Sequence, residues 1–260
     1  MYFLSRKMSK VKVSAISYLN TIPFVYGLQN SSIQSRIDIT FDVPSTCAQR
    51  LRNNTADIGI VPVATIPLLP EHHIISDFCI GAIGKVRTVA LFSNSDIDKI
   101  KTIYLDNDSR TSALLSQILA DKYWKISPQF KPLENVNFDE KDAGFMLIGD
   151  KVFEAEKQFQ YSFDLSEEWY KFKKLPFVFA TWTANKKLDD DFLQEFNAAL
   201  AFGANNIQNA VEKYSNGIDK KTAIEYFEKY ISYDFDSLKR LGLTEFWNLA
   251  LEEIMGDRVR

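Results

Sequence analysis

Apolar and polar positions switch between two periods along this chain, and the switches lay out its elements. Residues 11–17 form a near-continuous apolar run of strand length, 22–28 carry the spacing of a short helix, and 37–43 alternate as a half-buried strand. Residues 47–52 read as a helix and 57–63 as another buried strand. That β-α-β-α-β rhythm predicts a mostly parallel sheet with helices on its faces.

Residues 76–93 stay apolar and extended, with Gly81 and Gly84 permitting a bend, and 86–92 read as a strand leaving the first unit. A second α/β unit follows, with strands at 102–105, 129–133 and 143–148. Its main helix spans 111–124 and carries Leu114, Leu115, Ile118 and Leu119 on one face. Residues 177–182 are strongly apolar and β-prone. Beyond them helical patterns run to Glu253, the first with a stripe of Ala198, Ala199, Phe202, Ile207 and Val211 and with three helix-start acids at 189–191. Three terminal helices, with turns near Asn216-Gly217 and Ser237, are expected to cap the first unit.

Two such units joined by crossings near 86–92 and 177–182 predict two lobes, the first made of 1–92 and 183–260 and the second of 93–182. Ligands of open α/β sheets bind beyond the carboxyl ends of strands, and those of two-lobed proteins bind between the lobes. The cleft is therefore expected to collect Ser17, Tyr18 and Asn20, Pro62-Val63, the crossing Val86-Arg87-Thr88, and the helix start at 109–112.

Composition narrows the class. At 260 residues, 46% hydrophobic and 25% charged, the chain is an ordinary globular one and long enough for two lobes. A net charge of -3 recommends neither nucleic acid nor an anionic membrane as a partner, so the ligand is expected to be small. The longest apolar stretch, 58–69, is broken by Pro62 and Pro67 and is too short to span a bilayer. Residues 1–7 place a brief apolar run before their charges and lack a cleavage site, which predicts no secretory signal and a cytoplasmic location; Met8 is an alternative start. Cys47 and Cys79 have no histidine at ligand spacing and read as small buried residues in a reducing compartment. His72 and His73 follow Pro70-Glu71 in a solvated loop, so no metal site is predicted. Oligomeric state has no sequence signal.

The stretch with the most chemistry is Ser109-Arg110-Thr111-Ser112, between the strand at 102–105 and the following helix. Three hydroxyls and a guanidinium at a helix N-terminus, where N–H groups lack intrahelical acceptors and the dipole end is positive, suit a small anion such as a carboxylate. A plain N-cap accounts for Asp108 or Ser109 but not for three hydroxylated positions around an arginine.

Ser17-Tyr18-Leu19-Asn20 with Pro23, Asp57-Ile58-Gly59 with Pro62-Val63, Cys79-Ile80-Gly81, Leu105-Asp106 before Ser109-Arg110-Thr111-Ser112, Ile148-Gly149-Asp150, and Asp164-Leu165 with Trp169 before Leu175-Pro176-Phe177 occur in order over most of the chain. Together they resemble the chorismate dehydratase family of the futalosine route to menaquinone. The resemblance implies a two-lobed fold of the periplasmic-binding-protein type II kind, used as a cytoplasmic enzyme. It implies loss of water from chorismate to give 3-[(1-carboxyvinyl)oxy]benzoate, with no cofactor and no metal. Carried onto this chain, Asn20 matches the family's active-site asparagine, Thr88 stands where many relatives have serine, and Ser109, Arg110, Thr111 and Ser112 match the carboxylate-holding loop. Lys173-Lys174 replaces a frequent Thr-Gly, which bears on the local turn. Neither the 18–20 nor the 109–112 segment holds a general base that works near neutral pH, in keeping with the family's route in which the substrate's enolpyruvyl carboxylate takes the proton. Two rival readings are a solute-binding protein for a small acid, which needs export or an anchor, and the sister dihydroxynaphthoate synthase, which is thought to use a histidine.

Overall fold

The computed structural model describes residues 10–214 and 217–256, so the readings of residues 1–8 and of Asn216 lie outside the described residues. The first lobe begins as expected. β1 (Val11–Ile16) lies between β2 (Ile37–Asp42) and β3 (Ile58–Pro62), parallel to both. The parallel order needs helical crossovers, supplied by α1 (Ile22–Gln29) and α2 (Pro44–Arg52), each with a proline in its first turn, where the missing N–H costs nothing. β4 (His73–Ala82) completes the run before the chain leaves the lobe. His73 is thus the first residue of a strand, not of a loop, and bonds Glu71.

β5 (Val89–Ser93) belongs to the second lobe. There it pairs antiparallel with β8 (Ala143–Ile148) and with β9 (Tyr161–Asp164), in a sheet completed by β6 (Thr102–Leu105) and β7 (Gln129–Pro132). Between these strands lie α3 (Arg110–Ile118) and the single turn α4 (Val152–Ala155); α5 (Leu165–Lys173) follows β9. α3 continues as a π-helical turn over Leu119–Trp124, and the two together fill the helix expected at 111–124.

β10 (Phe177–Ala184) returns to the first lobe and inserts antiparallel between β3 and β4. Chain crossings therefore fall at 83–88 and 165–176, short of the expected limits at 92 and 182. All residues of β5 and β10 are buried, the mark of central strands. Apolarity reports that burial but not which sheet a strand joins. Both sheets are accordingly mixed: paired strands joined through helices within a lobe run parallel, whereas β5 and β10, which enter from the other lobe, run antiparallel to both their neighbours.

Four helices, not three, close the described chain: α6 (Asp190–Ala204), α7 (Ile207–Tyr214), α8 (Lys220–Lys229) and α9 (Ser237–Gly256). Asn205 and Asn206 separate α6 from α7. Phe202 falls outside the expected buried stripe; it is 41% exposed and stacks on Tyr26 at 5.9 Å between ring centroids. A Cβ on Gly27 would strike the Ala199 carbonyl and one on Gly203 the Pro23 carbonyl, so this glycine pair sets the close approach of α1 and α6. A last short strand, β11 (Ser232–Asp234), pairs with β4.

The crossings are pinned by one buried carboxylate. Asp164 caps α5 through the Ser166 and Glu167 N–H groups and also accepts from Val86 at 3.1 Å and Arg87 at 2.6 Å on the neighbouring crossing. Arg87 there has φ 68° and Gly84 φ 78°, a bend that needs such a clamp. Burial outweighs the four donors and pushes the Asp164 carboxyl up from 3.8 to about 6. The folded state then holds the proton more tightly than the unfolded one. This group's contribution to stability is fully present below about pH 4 and is lost as pH rises through 6. Denaturant unfolding of wild type and D164N between pH 4 and 7 is expected to show the slope only in wild type. The variant should be less stable at pH 7 by roughly 2 to 3 kcal/mol, because its amide NH2 faces N–H donors. Equal slopes would remove Asp164 as the titrating group.

Lys174 ends α5 with φ 59°. That left-handed position is the one glycine fills without strain, so the departure at Lys173-Lys174 keeps the turn with a residue that carries a backbone cost there.

Candidate functional site

The cleft opens between the two sheets, beyond the carboxyl ends of β1, β3 and β8. The space between its walls, open solvent at the mouth included, is about 470 Å³. Tyr18 and Asn20 enter from the turn after β1, Thr88 from the crossing, Ser109 and Ser112 from the start of α3, and Phe179 from β10. None of its described lining residues is Asp, Glu, His, Cys, Lys or Arg.

The polar centre is a hydrogen-bonded cluster assembled from distant parts of the chain. Tyr226 of α8 is fully buried, and its hydroxyl shares a 2.9 Å hydrogen bond with Thr88 Oγ1 and reaches the Asn20 amide. Tyr233, one residue into β11, donates at 2.8 Å to the Asn20 carbonyl. Burial raises both phenols above their ordinary value, so they stay protonated donors. Asn20 Oδ1 also accepts from Thr21 Oγ1 at 3.2 Å. The amide and the threonine hydroxyl are thereby fixed relative to each other, although one belongs to the first lobe and the other to the crossing.

Across the cleft, Ser109 is the N-cap of α3, accepting from the Ser112 N–H at 3.3 Å and the Ser112 hydroxyl at 3.1 Å. Capping and facing the cleft coincide here. Thr111 is elsewhere: its Oγ1 accepts from Ala64 N–H at 3.1 Å and joins α3 to the first lobe's turn after β3. Arg110 is exposed and its side chain lines a different groove. Ser17 is exposed and borders another surface hollow. Arg87 turns away to Glu156 at 3.1 Å, between the rings of Phe153 and Tyr230. Of the nine residues expected at the site, the structure gathers Tyr18, Asn20, Thr88, Ser109 and Ser112 in the cleft; Ser17, Arg87, Arg110 and Thr111 stand outside it.

Tyr18 ties the lobes together by donating to Asp108 at 3.4 Å, and Gly149 lets its ring approach the end of β8. Burial, Asp108 and Asp106 raise its phenol. Asp106 is paired with Lys151, which also reaches Asp108 at 3.8 Å. Asp150 takes a hydrogen bond from the Leu19 backbone, while desolvation raises its carboxyl. Both cysteines are buried and unpaired, their thiols pushed up to about 12. Among the described residues no group of three His, Cys, Asp or Glu stands together as metal ligands, and no helix is long and apolar enough to cross a membrane.

A family described as menaquinone biosynthesis matches residues 11–252. The chain belongs to that family. Within this menaquinone-biosynthesis family, it is similar to a chorismate dehydratase of Thermus thermophilus, 22% identical over 194 residues, which is 66% of this chain and 71% of the relative. Among solved structures it resembles protein AF1704 of Archaeoglobus fulgidus, with a TM-score of 0.74 at 17% identity over 96% of this chain and 99% of that one. The Candida albicans CA3427 product, described as having the generic periplasmic binding protein fold, follows at 0.63 and 15% identity over 94% and 90%. The menaquinone-family chain thus has the two-lobed fold of those neighbours.

Tyr226 and Tyr233 are the polar groups that the sequence pattern left unassigned. Each sits in an amphipathic or short extended segment where an aromatic reads as core, and a hydroxyl aimed at a residue some 200 positions earlier leaves no local signal.

Proposed function

We propose that this protein is a chorismate dehydratase, a hydro-lyase that converts chorismate to 3-[(1-carboxyvinyl)oxy]benzoate and water. The observation that carries the reading is a cleft of neutral hydrogen-bonders without a titratable acid or base apart from a phenol held protonated. Such a site suits a substrate that brings its own base. The enolpyruvyl carboxylate removes the proton from the ether-bearing ring carbon, the electrons of that C–H bond form the new ring double bond, and the neighbouring C–O bond breaks. Hydroxide and the transferred proton leave as water, and aromatisation drives the step.

In this reading Asn20 donates to the departing hydroxyl or the adjacent carboxylate, and Thr88 hydrogen-bonds beside it. Ser109, Ser112 and the first-turn N–H groups of α3 hold the other carboxylate. Membership of the menaquinone-biosynthesis family and the likeness to a chorismate dehydratase support the choice of substrate. A histidine-dependent sister reaction has less support, since no described cleft residue is a histidine. The reaction is placed in the cytoplasm, with no cofactor.

The test is incubation with chorismate while following ultraviolet absorbance and product mass. The dehydrated benzoate is expected; chorismate bound but recovered unchanged would make the protein a binder.

Tyr226→Phe separates positioning from packing. It keeps the ring and removes the hydroxyl shared by Thr88 and Asn20. We expect kcat about tenfold lower with KM within about twofold, and a stability loss near 1 kcal/mol, the scale of one buried hydrogen bond. A melting-temperature drop with unchanged kcat would make the hydroxyl structural only.

A further inference from the structure

Arg110 lines a groove of its own on the far side of Pro62, where α2 of the first lobe faces the start of α3 in the second. Arg52, the last residue of α2, lines the same groove. Both are exposed, and among the described residues neither guanidinium has an ion-pair, hydrogen-bond or ring partner. The other four described arginines, Arg36, Arg50, Arg87 and Arg240, each meet a carboxylate. No Asp or Glu lines the groove, although acidic residues outnumber Lys and Arg in the chain by 34 to 31. Gln49 adds a neutral donor, Asn107 at the rim donates to Glu134 at 3.3 Å, and Leu68 and Pro62 give an apolar floor.

We propose that this groove is a second carboxylate site, separate from the Asn20 cleft, which takes a small organic dicarboxylate with one end on Arg52 and the other on Arg110. Guanidinium forks match carboxylates bidentately. Two uncompensated positive charges that line one groove favour a dianion over a monoanion. The apolar floor between them favours a carbon skeleton over inorganic phosphate, which has nothing to lay against Leu68. Because the arginines come from opposite lobes, the ligand bridges them beside the cleft mouth.

Isophthalate is the probe, titrated calorimetrically into the whole protein in low-salt buffer, with benzoate and inorganic phosphate as controls. Saturable isophthalate binding is expected in wild type and in N20A, weakened at least about tenfold in R52Q and in R110Q, with both controls weaker than isophthalate. Both arginines are exposed, so the variants should fold, and their melting temperatures verify it. Binding that survives both arginine variants, or that is lost only in N20A, would overturn the proposal. So would phosphate or benzoate binding as tight as isophthalate, or no binding at all. The titration does not depend on turnover: a protein that fails to dehydrate chorismate can still pass it, and a working dehydratase can still fail it.

Discussion

Chorismate with its enolpyruvyl carboxylate replaced by a carboxamide is expected to occupy the cleft and not to react at a measurable rate. The amide keeps the ring, the hydroxyl and the overall shape but is too weak a base to accept the ring proton. The described cleft residues offer no substitute, since Tyr18 is the one lining group that titrates and it is held protonated. A base carried by the substrate acts at an effective molarity on the order of 10⁵ M or more, which water in the cleft does not match. Rapid formation of the aromatic amide at saturating analogue would show that the protein supplies the base. Asp150 is then the first residue to replace, because its carboxyl lies against the Leu19 backbone, next to Asn20, with its proton affinity raised by desolvation. An Asp150→Asn variant with undiminished chorismate turnover accompanies the substrate-assisted route.

Several parts of this molecule are written locally, and those are the parts that could be read. β1, β3, β6 and β8 are bounded apolar runs and β2 an alternating one, and their ends lie within about two residues of expectation. Ser109 looks like a cap and is one. What is not local was not legible. Nothing in the apolar pattern of β5 or β10 distinguishes the sheet it leaves from the sheet it joins, so both lobe limits came out late. β9 and β11, of four and three residues, are too short to show a period.

The stretch at 109–112, whose sequence suits an anion, shows the same limit at the scale of side chains. Four consecutive residues at a helix start divide among three places: Ser109 and Ser112 face the cleft, Thr111 the backbone of the other lobe, Arg110 a neighbouring groove. The sequence places them together, but a helix turns about 100° per residue, so shared sequence is not shared site. Tyr226 is the converse case: 206 residues from Asn20 in sequence, in hydrogen-bond contact in space.

Asn20→Ala is expected to lower turnover by ~10²- to 10³-fold, or roughly 3 to 4 kcal/mol, the scale for losing one preorganised donor to developing charge. The fold should survive, because the hydrogen bond that anchors this turn to Tyr233 is made by the Asn20 backbone carbonyl, which the substitution keeps. Affinity should fall less than turnover. In the proposed reaction the carboxylate assigned to Ser109 and Ser112 would be bound equally in ground and transition states, whereas the bond to the departing hydroxyl would strengthen as the C–O bond breaks. Removing the amide also frees the Tyr226 hydroxyl, which keeps only Thr88 as partner. The double variant N20A/Y226F should therefore be little slower than N20A alone, since the phenol acts by holding groups of which one is already gone. Turnover of N20A within about twofold of wild type would remove Asn20 from the chemistry. A fully additive double variant would show instead that Tyr226 meets the substrate on its own account.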